Sequence, residues 1–279
     1  MVETSNLFAG LWPYLLWLAD FLWDLWPKLL YGAWISILLM LISGVVGSLL
    51  AVPVALARYS RNPLLWIPSY LFILLMRGTP LLVQIYILYY GLGALLGQIP
   101  AVRYSFLWPY LREGFWYAAL ALAINTAGYS GFILRGAMLA VPHGEIEAGR
   151  AFGMSKWLIM FRIILPRAIR ISLPTFSGET ILLLKATSLA STVTVTDLMR
   201  VTEEAYAASL RFDLPFISAG IIYIVLSFII TRCFYFAERQ LNKDRVQPKP
   251  IGISAAESIS AIQPTAVGTA PEKQRRMGL

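Results

Sequence analysis

The sequence predicts an all-α integral membrane protein with five transmembrane helices. Three observations carry that prediction: an apolar composition, long uncharged runs, and charges gathered between those runs. Of 279 residues, 58% are hydrophobic and 14% charged, with a mean hydropathy of +0.67. Soluble domains carry about 25% charged and roughly 45–50% apolar residues. Leu214 to Thr231 contains no charge at all, long enough to cross about 30 Å of hydrocarbon as a helix. These features exclude a soluble enzyme, a disordered adaptor and a disulfide-built secreted domain. Cys233 is the only cysteine, so no internal disulfide can form.

The first span runs from about Leu29 to Ala57 and stops at Arg58 and Arg61. The second, about Leu64 to Gly97, is interrupted by Arg77, Gly78, Thr79 and Pro80. The third covers roughly Phe115 to Gly136, and the fifth Leu214 to Phe236. The fourth, about Ile169 to Ser191, is the least apolar because Glu179 and Lys185 lie inside it. Residues 1–28 form a separate N-terminal segment. Asp20 and Asp24 interrupt its apolar stretch, while Trp12, Trp17, Trp23 and Trp26 crowd it. Tryptophan favours the headgroup region, so an interfacial helix is expected, with a sixth span as the competing possibility. No basic n-region marks a secretory signal. Residues 241–279, rich in Pro, Ala, Ser and Gln, are expected to be a disordered tail.

Orientation follows from the basic residues. With the N-terminus outside and the C-terminus in the cytoplasm, 16 of the 23 lysines and arginines fall on the inside, and five outside. That is the bias the positive-inside rule requires. The net charge of +8 is therefore mostly topology and does not point to nucleic acid.

The connection between spans three and four is the most informative stretch. From Val141 to Pro174 it reads VPHGEIEAGRAFGMSKWLIMFRIILPRAIRISLP. Glu145, Glu147 and Ala148 begin a helical run that Gly153 can end in a left-handed cap. Met154 to Ile164 makes a second amphipathic piece, which Pro166 is expected to stop. Two short helices joined at a glycine offer a docking surface.

This spacing of Glu147, Ala148, Gly153, Ile163, Leu165 and Pro166 resembles the EAA loop of ATP-binding-cassette importer permeases. Further likeness to the polar amino acid branch lies in Arg77 to Gln84, Asn125 to Gly136 and Lys185 to Ser191. The likeness spans about residues 28–240. The run Val141 to Ala148 most resembles the histidine/lysine/arginine/ornithine and octopine/nopaline permeases. It implies a type I importer architecture for residues 29–240, with a coupling loop at about 141–168 that contacts the ATPase through Glu147 and Gly153. Gly149 departs from the pattern's usual alanine, at a cost of about 1 kcal/mol of helix stability. Phe132 stands where the pattern commonly has a glutamate, which would leave Arg135 to face the cytoplasmic boundary or another subunit.

The resemblance also implies partners: a P-loop ATPase in two copies, a second and related permease, an extracytoplasmic solute-binding protein, and an amino-acid substrate. The setting is the bacterial inner membrane, in contact with lipid. The chain has no Gly-x-x-x-x-Gly-Lys-Ser/Thr loop, so ATP and Mg2+ would be bound by the partner and this chain would need no cofactor of its own.

Within the spans, the residues themselves suggest a solute pathway. Arg77, Glu179 and Lys185 are intramembrane charges, expensive enough to imply function. Gly78 and Pro80 interrupt a span, tolerated only beside protein or a water-filled cavity. Glu179 can meet the ammonium of a zwitterion and Lys185 its carboxylate, with Thr187 and Ser188 nearby. The two charges lie six residues apart, about 240° around a helix, so they do not share a face without unwinding or a second subunit. A self-sufficient carrier using Glu179 and Lys185 is the alternative. A membrane enzyme lacks any supporting constellation, and His143, the only histidine, does not make a metal site.

Overall fold

The computed structural model describes residues 2–241, with side chains described from residue 23 onward. All regular structure among the described residues is helical. Helix α1 (Val2–Tyr59) is followed by α2 (Pro63–Gly78), α3 (Leu81–Gln98) and α4 (Gly114–Leu139). Then come α5 (His143–Ala151), α6 (Lys156–Val193), α7 (Leu198–Ser209) and α8 (Asp213–Leu241). Four helices are long and apolar enough to cross a membrane: α1 from Trp23, α3, α4 and α8. The bent pair α6 and α7, at 54°, makes the fifth if counted as one span. The interrupted second span is realised as α2 and α3, with the break at Thr79.

Helix α1 runs through residue 28 without a break, so the expected N-terminal segment is continuous with span one in backbone. The side chains of residues 7–22 and the 242–279 tail lie outside the described residues.

The centre of the bundle is the seam between α1 and α4. Small residues let the two backbones approach, which is how helices pack when no water drives them together. Ser43 Oγ donates to Ala119 O at 3.1 Å. A Cβ on Gly47 would lie 2.7 Å from Ala123 O, and one on Gly131 would lie 2.9 Å from Val54. Leu39, Ile85, Leu122 and Leu184 fill one buried cluster beside this seam, with no exposed area. Outside, Leu50, Ile224 and Phe228 are exposed, as befits a surface solvated by acyl chains.

Local chemistry sets the ends. Asn62 accepts from Leu64 N–H at 3.0 Å and Pro63 opens α2, a cap followed by the one residue that has no N–H to lose. Ser155 caps α6 through Leu158 N–H. Pro166 does not stop that helix, contrary to the expectation. The turn before it widens into a π-helical stretch, Met160–Ile164, and the chain continues as α-helix through Ala186. Proline removes one N–H and clashes with the carbonyl four residues back. A π-bulge changes the hydrogen-bond register at that point and accommodates both effects.

Candidate functional site: a cavity and a surface helix

Span two breaks because Pro80 cannot donate into the preceding turn and starts a new helix at Leu81. The carbonyls freed by the break need donors, since an unpaired one inside a membrane costs several kcal/mol, roughly. Leu75 O keeps its backbone donor, Thr79 N–H at 3.1 Å, and also accepts from Thr79 Oγ1 at 2.7 Å. Gln84 Nε2 donates to Met76 O at 3.1 Å and to Thr79 Oγ1 at 2.8 Å. From α4, Asn125 Nδ2 donates to Met76 O at 3.0 Å and to Gln84 Oε1 at 3.1 Å. Gly78 meets nothing: a Cβ there would find open space. Its neighbour Arg77 lays its guanidinium 4.0 Å from the Phe132 ring centre and 5.4 Å from that of Tyr129. Phe132 thus serves as an aromatic seat for Arg77, a role that spacing along one helix did not suggest.

Beside the break lies a cavity of about 680 Å³ between α1, α4 and α6, with Phe234 of α8 also in its lining. Leu41, Val45, Leu49 and Phe176 give it apolar walls, while Ser48, Thr79, Asn125, Thr126 and Ser130 line it with polar groups. Glu179 is the one acidic or basic residue in that lining. Its carboxylate is half-buried and forms neither an ion pair nor a hydrogen bond among the described residues. Arg77 is the opposite charge that acts on it. An apolar pocket with a few converging polar groups and one unpaired carboxylate suits a cationic solute.

The other predicted pathway residues fall elsewhere. Helix α6 is regular between Glu179 and Lys185, so the two point apart as helical geometry requires. Lys185 is exposed and away from the cavity lining. Thr187 is fully buried and donates to Leu184 O, and Ser188 Oγ donates to Lys185 O. Neither hydroxyl lines the cavity. Gln84 and Asn125 were missed as partners of the break, although both lie in the quoted motif stretches. Their pairing depends on tertiary contact between α3 and α4.

The surface helix α5 exposes Glu147, Ala148 and Arg150, with Ile146 and Gly149 turned inward. Gly153 ends the turn at φ +74, and Met154 N–H reaches back to Gly149 O at 3.0 Å. A left-handed residue with such a bond is the usual glycine helix stop. Gly149 has a packing reason as well: a Cβ would lie 2.8 Å from Ile163 Cδ1, where α6 crosses beneath. Ile163 and Leu165 are partly buried against a second cluster that includes Ile146, Ile159 and Ile164, and Pro166 is exposed. Glu145 joins Arg167 of α6 at 3.3 Å. Both are partly exposed, so the pair adds little stability, about 0–1 kcal/mol, but it ties the exposed helix to a membrane helix.

Comparison with known proteins places this arrangement. The family described as the binding-protein-dependent transport system inner membrane component matches residues 43–243. An octopine transport system permease protein, OccM of Rhizobium radiobacter, is 45% identical over 225 residues, covering 81% of this chain and 90% of the relative. The histidine/lysine/arginine/ornithine permease HisM of Escherichia coli K12 is 38% identical over 228 residues, covering 79% of this chain and 94% of the relative. A crystal structure of an amino acid ABC transporter with histidines superposes at a TM-score of 0.65 with 29% identity, over 77% of this chain and 94% of that one. These likenesses fit an importer permease of the type I fold and not a self-sufficient carrier, and such permeases work with ATPase and solute-binding partners in the inner membrane. The chain belongs to the family of binding-protein-dependent inner membrane transport components: it is a membrane-spanning permease subunit of an amino-acid ABC importer.

Proposed function

We propose that this permease moves a basic or opine-type amino acid, and that Glu179 faces the substrate's cationic group. The observation that carries the proposal is the unpaired Glu179 carboxylate in a cavity with apolar walls. The named relatives carry octopine or histidine, lysine, arginine and ornithine, all bearing a basic or guanidino nitrogen. Arg77, at the adjacent break, supplies the opposite charge for a carboxylate. Lys185, Thr187 and Ser188 lie off this cavity, so they would contact substrate only through rearrangement or a second permease subunit.

In this account the chain is oriented N-out and C-in, with α5 in the cytoplasm. Two copies of a P-loop ATPase, holding ATP and Mg2+, dock on α5 and its counterpart in a second, related permease. Glu147, Ala148 and Gly153 make the contact, while Gly149 and Ile163 hold α5 on α6. The π-bulge and Pro166 then connect the docked helix to the wall bearing Glu179, giving ATPase closure a path to the cavity. A solute-binding protein delivers substrate from the opposite face.

The test is affinity purification from mild detergent, comparing the native chain with a Glu147→Arg, Gly153→Arg variant. An ATPase subunit that accompanies the native chain and is lost from a folded variant supports docking at α5. Equal recovery of the ATPase with both would place the dock elsewhere.

A further inference from the structure

At the α5 end of the bundle, the seam between α1 and α4 brings two arginines together, with no acid paired to either among the described residues. The two helices run parallel in a steady register. Ser43 pairs with Ala119, and about three turns further on Gly131 packs on Val54. One more turn along both helices sets Arg58 opposite Arg135. Ala55, Leu134 and Met138 are buried in one cluster at this level, and the charge of Arg58 acts on Arg135. The Arg58 guanidinium also sits over Trp66 and Tyr70 of α2, at 5.3 and 5.1 Å from their ring centres. Arg135 Nε is buried with no hydrogen-bond partner. Among the described residues neither arginine forms an ion pair.

Two neighbouring guanidinium groups, one with a buried donor left unmet, call for an anion. The surroundings select its source. Leu64, Leu65 and Leu71 of α2 are exposed around Trp66 and Tyr70, an aromatic and apolar border of the kind found just below lipid headgroups. Basic pockets between membrane helices are established headgroup-binding features. The geometry points to a site for an anionic phospholipid, whose phosphodiester bridges Arg58 and Arg135 while its chains lie along α2. The site is independent of the transported substrate and of Glu179. Its lipid occupies whichever leaflet faces α5.

The permease complex, placed in nanodiscs of phosphatidylcholine with or without phosphatidylglycerol, provides the test. Phosphatidylglycerol should raise the thermal midpoint of the native complex and remain bound to it in mass spectra. An Arg58→Gln, Arg135→Gln variant should bind it roughly tenfold more weakly and lose the shift. In phosphatidylcholine alone, the same variant should be no less stable than native, because a repelling pair has been removed. Arg58→Gln alone, which leaves the partly buried Arg135 in place, serves if the double variant does not fold. An undiminished phosphatidylglycerol response in the variants would overturn the site. So would loss of partner subunits from a folded variant, which would assign the arginines to an acid on a partner. Inorganic phosphate reproducing the shift at matched ionic strength would assign a soluble anion and overturn the lipid.

Discussion

The bundle contains two broken helices, and they are built in opposite ways. Between α2 and α3 the break is made locally: Pro80 cannot donate, and Gln84 and Asn125 close the freed carbonyl of Met76, while the Thr79 hydroxyl adds to Leu75 O. Between α6 and α7 the break, from Val193 to Asp197, contains neither glycine nor proline. Thr194 nevertheless adopts φ 65, a left-handed conformation costly for a β-branched residue. Distant elements hold it there. Gly114, at the start of α4, lets Val193 O approach so closely that a Cβ would collide with it. Gly32 of α1 does the same for Asp197 and Leu198, where a Cβ would lie 2.9 Å from backbone. Ser36 Oγ accepts from Leu198 N–H at 3.1 Å, and Asp197 accepts from Arg200 N–H at 3.0 Å. A break can therefore be specified by its own residues or by the glycines that make room for it elsewhere.

The two kinds of break should respond differently to substitution. The largest effect is expected for Gly114→Ala, whose Cβ would run into backbone that cannot turn aside. It should cost about 3 kcal/mol or more, seen as loss of folded protein in size-exclusion chromatography. Asn125→Ala should cost about 1–3 kcal/mol by removing a donor from Met76 O and a partner from Gln84. Thermal unfolding in detergent would measure it, and an unchanged midpoint would show that water replaces the amide.

Asp197→Ala should cost about 1 kcal/mol through loss of the α7 cap. Asp197→Asn keeps the accepting oxygen and removes a fully buried carboxylate whose Oδ2 has no partner. The Asn variant should therefore be at least as stable as native by the same unfolding assay. The smallest effect is expected for Gly78→Ala, within about 0.5 kcal/mol. A Cβ there meets open space, so a large loss would undo the contrast between the two breaks.

This contrast also explains what could be read from the sequence. Pro80 and the charges at Arg77 and Glu179 announce themselves in one dimension, because proline chemistry and intramembrane charge are local properties. The α1, α4 and α8 spans were legible from uninterrupted apolar length, and Gly153 from its position after a short helical run. Helix α7 was not legible: residues 192–213 have the polarity of a loop, and Ser36 and Gly32, which seat α7, are about 160 residues away in sequence. Pro166 misled for a related reason: no residue type announces a π-bulge, and the burial of Ile159 and Ile164 with Leu134 and Met138 of α4 shows only in the folded chain. Of the proposed pathway residues, Glu179 reached the cavity, whereas Lys185 and Thr187 followed the helical period away from it.

The most direct test of the central claim is uptake of a labelled basic amino acid into proteoliposomes bearing the whole transporter, with native chain or Glu179→Gln. The account predicts uptake only with internal or external ATP on the ATPase side. It also predicts a loss of about tenfold or more in Glu179→Gln, the size expected for one lost charge pairing, with the ATPase still bound. ATP-independent uptake, or undiminished uptake by Glu179→Gln, would contradict it.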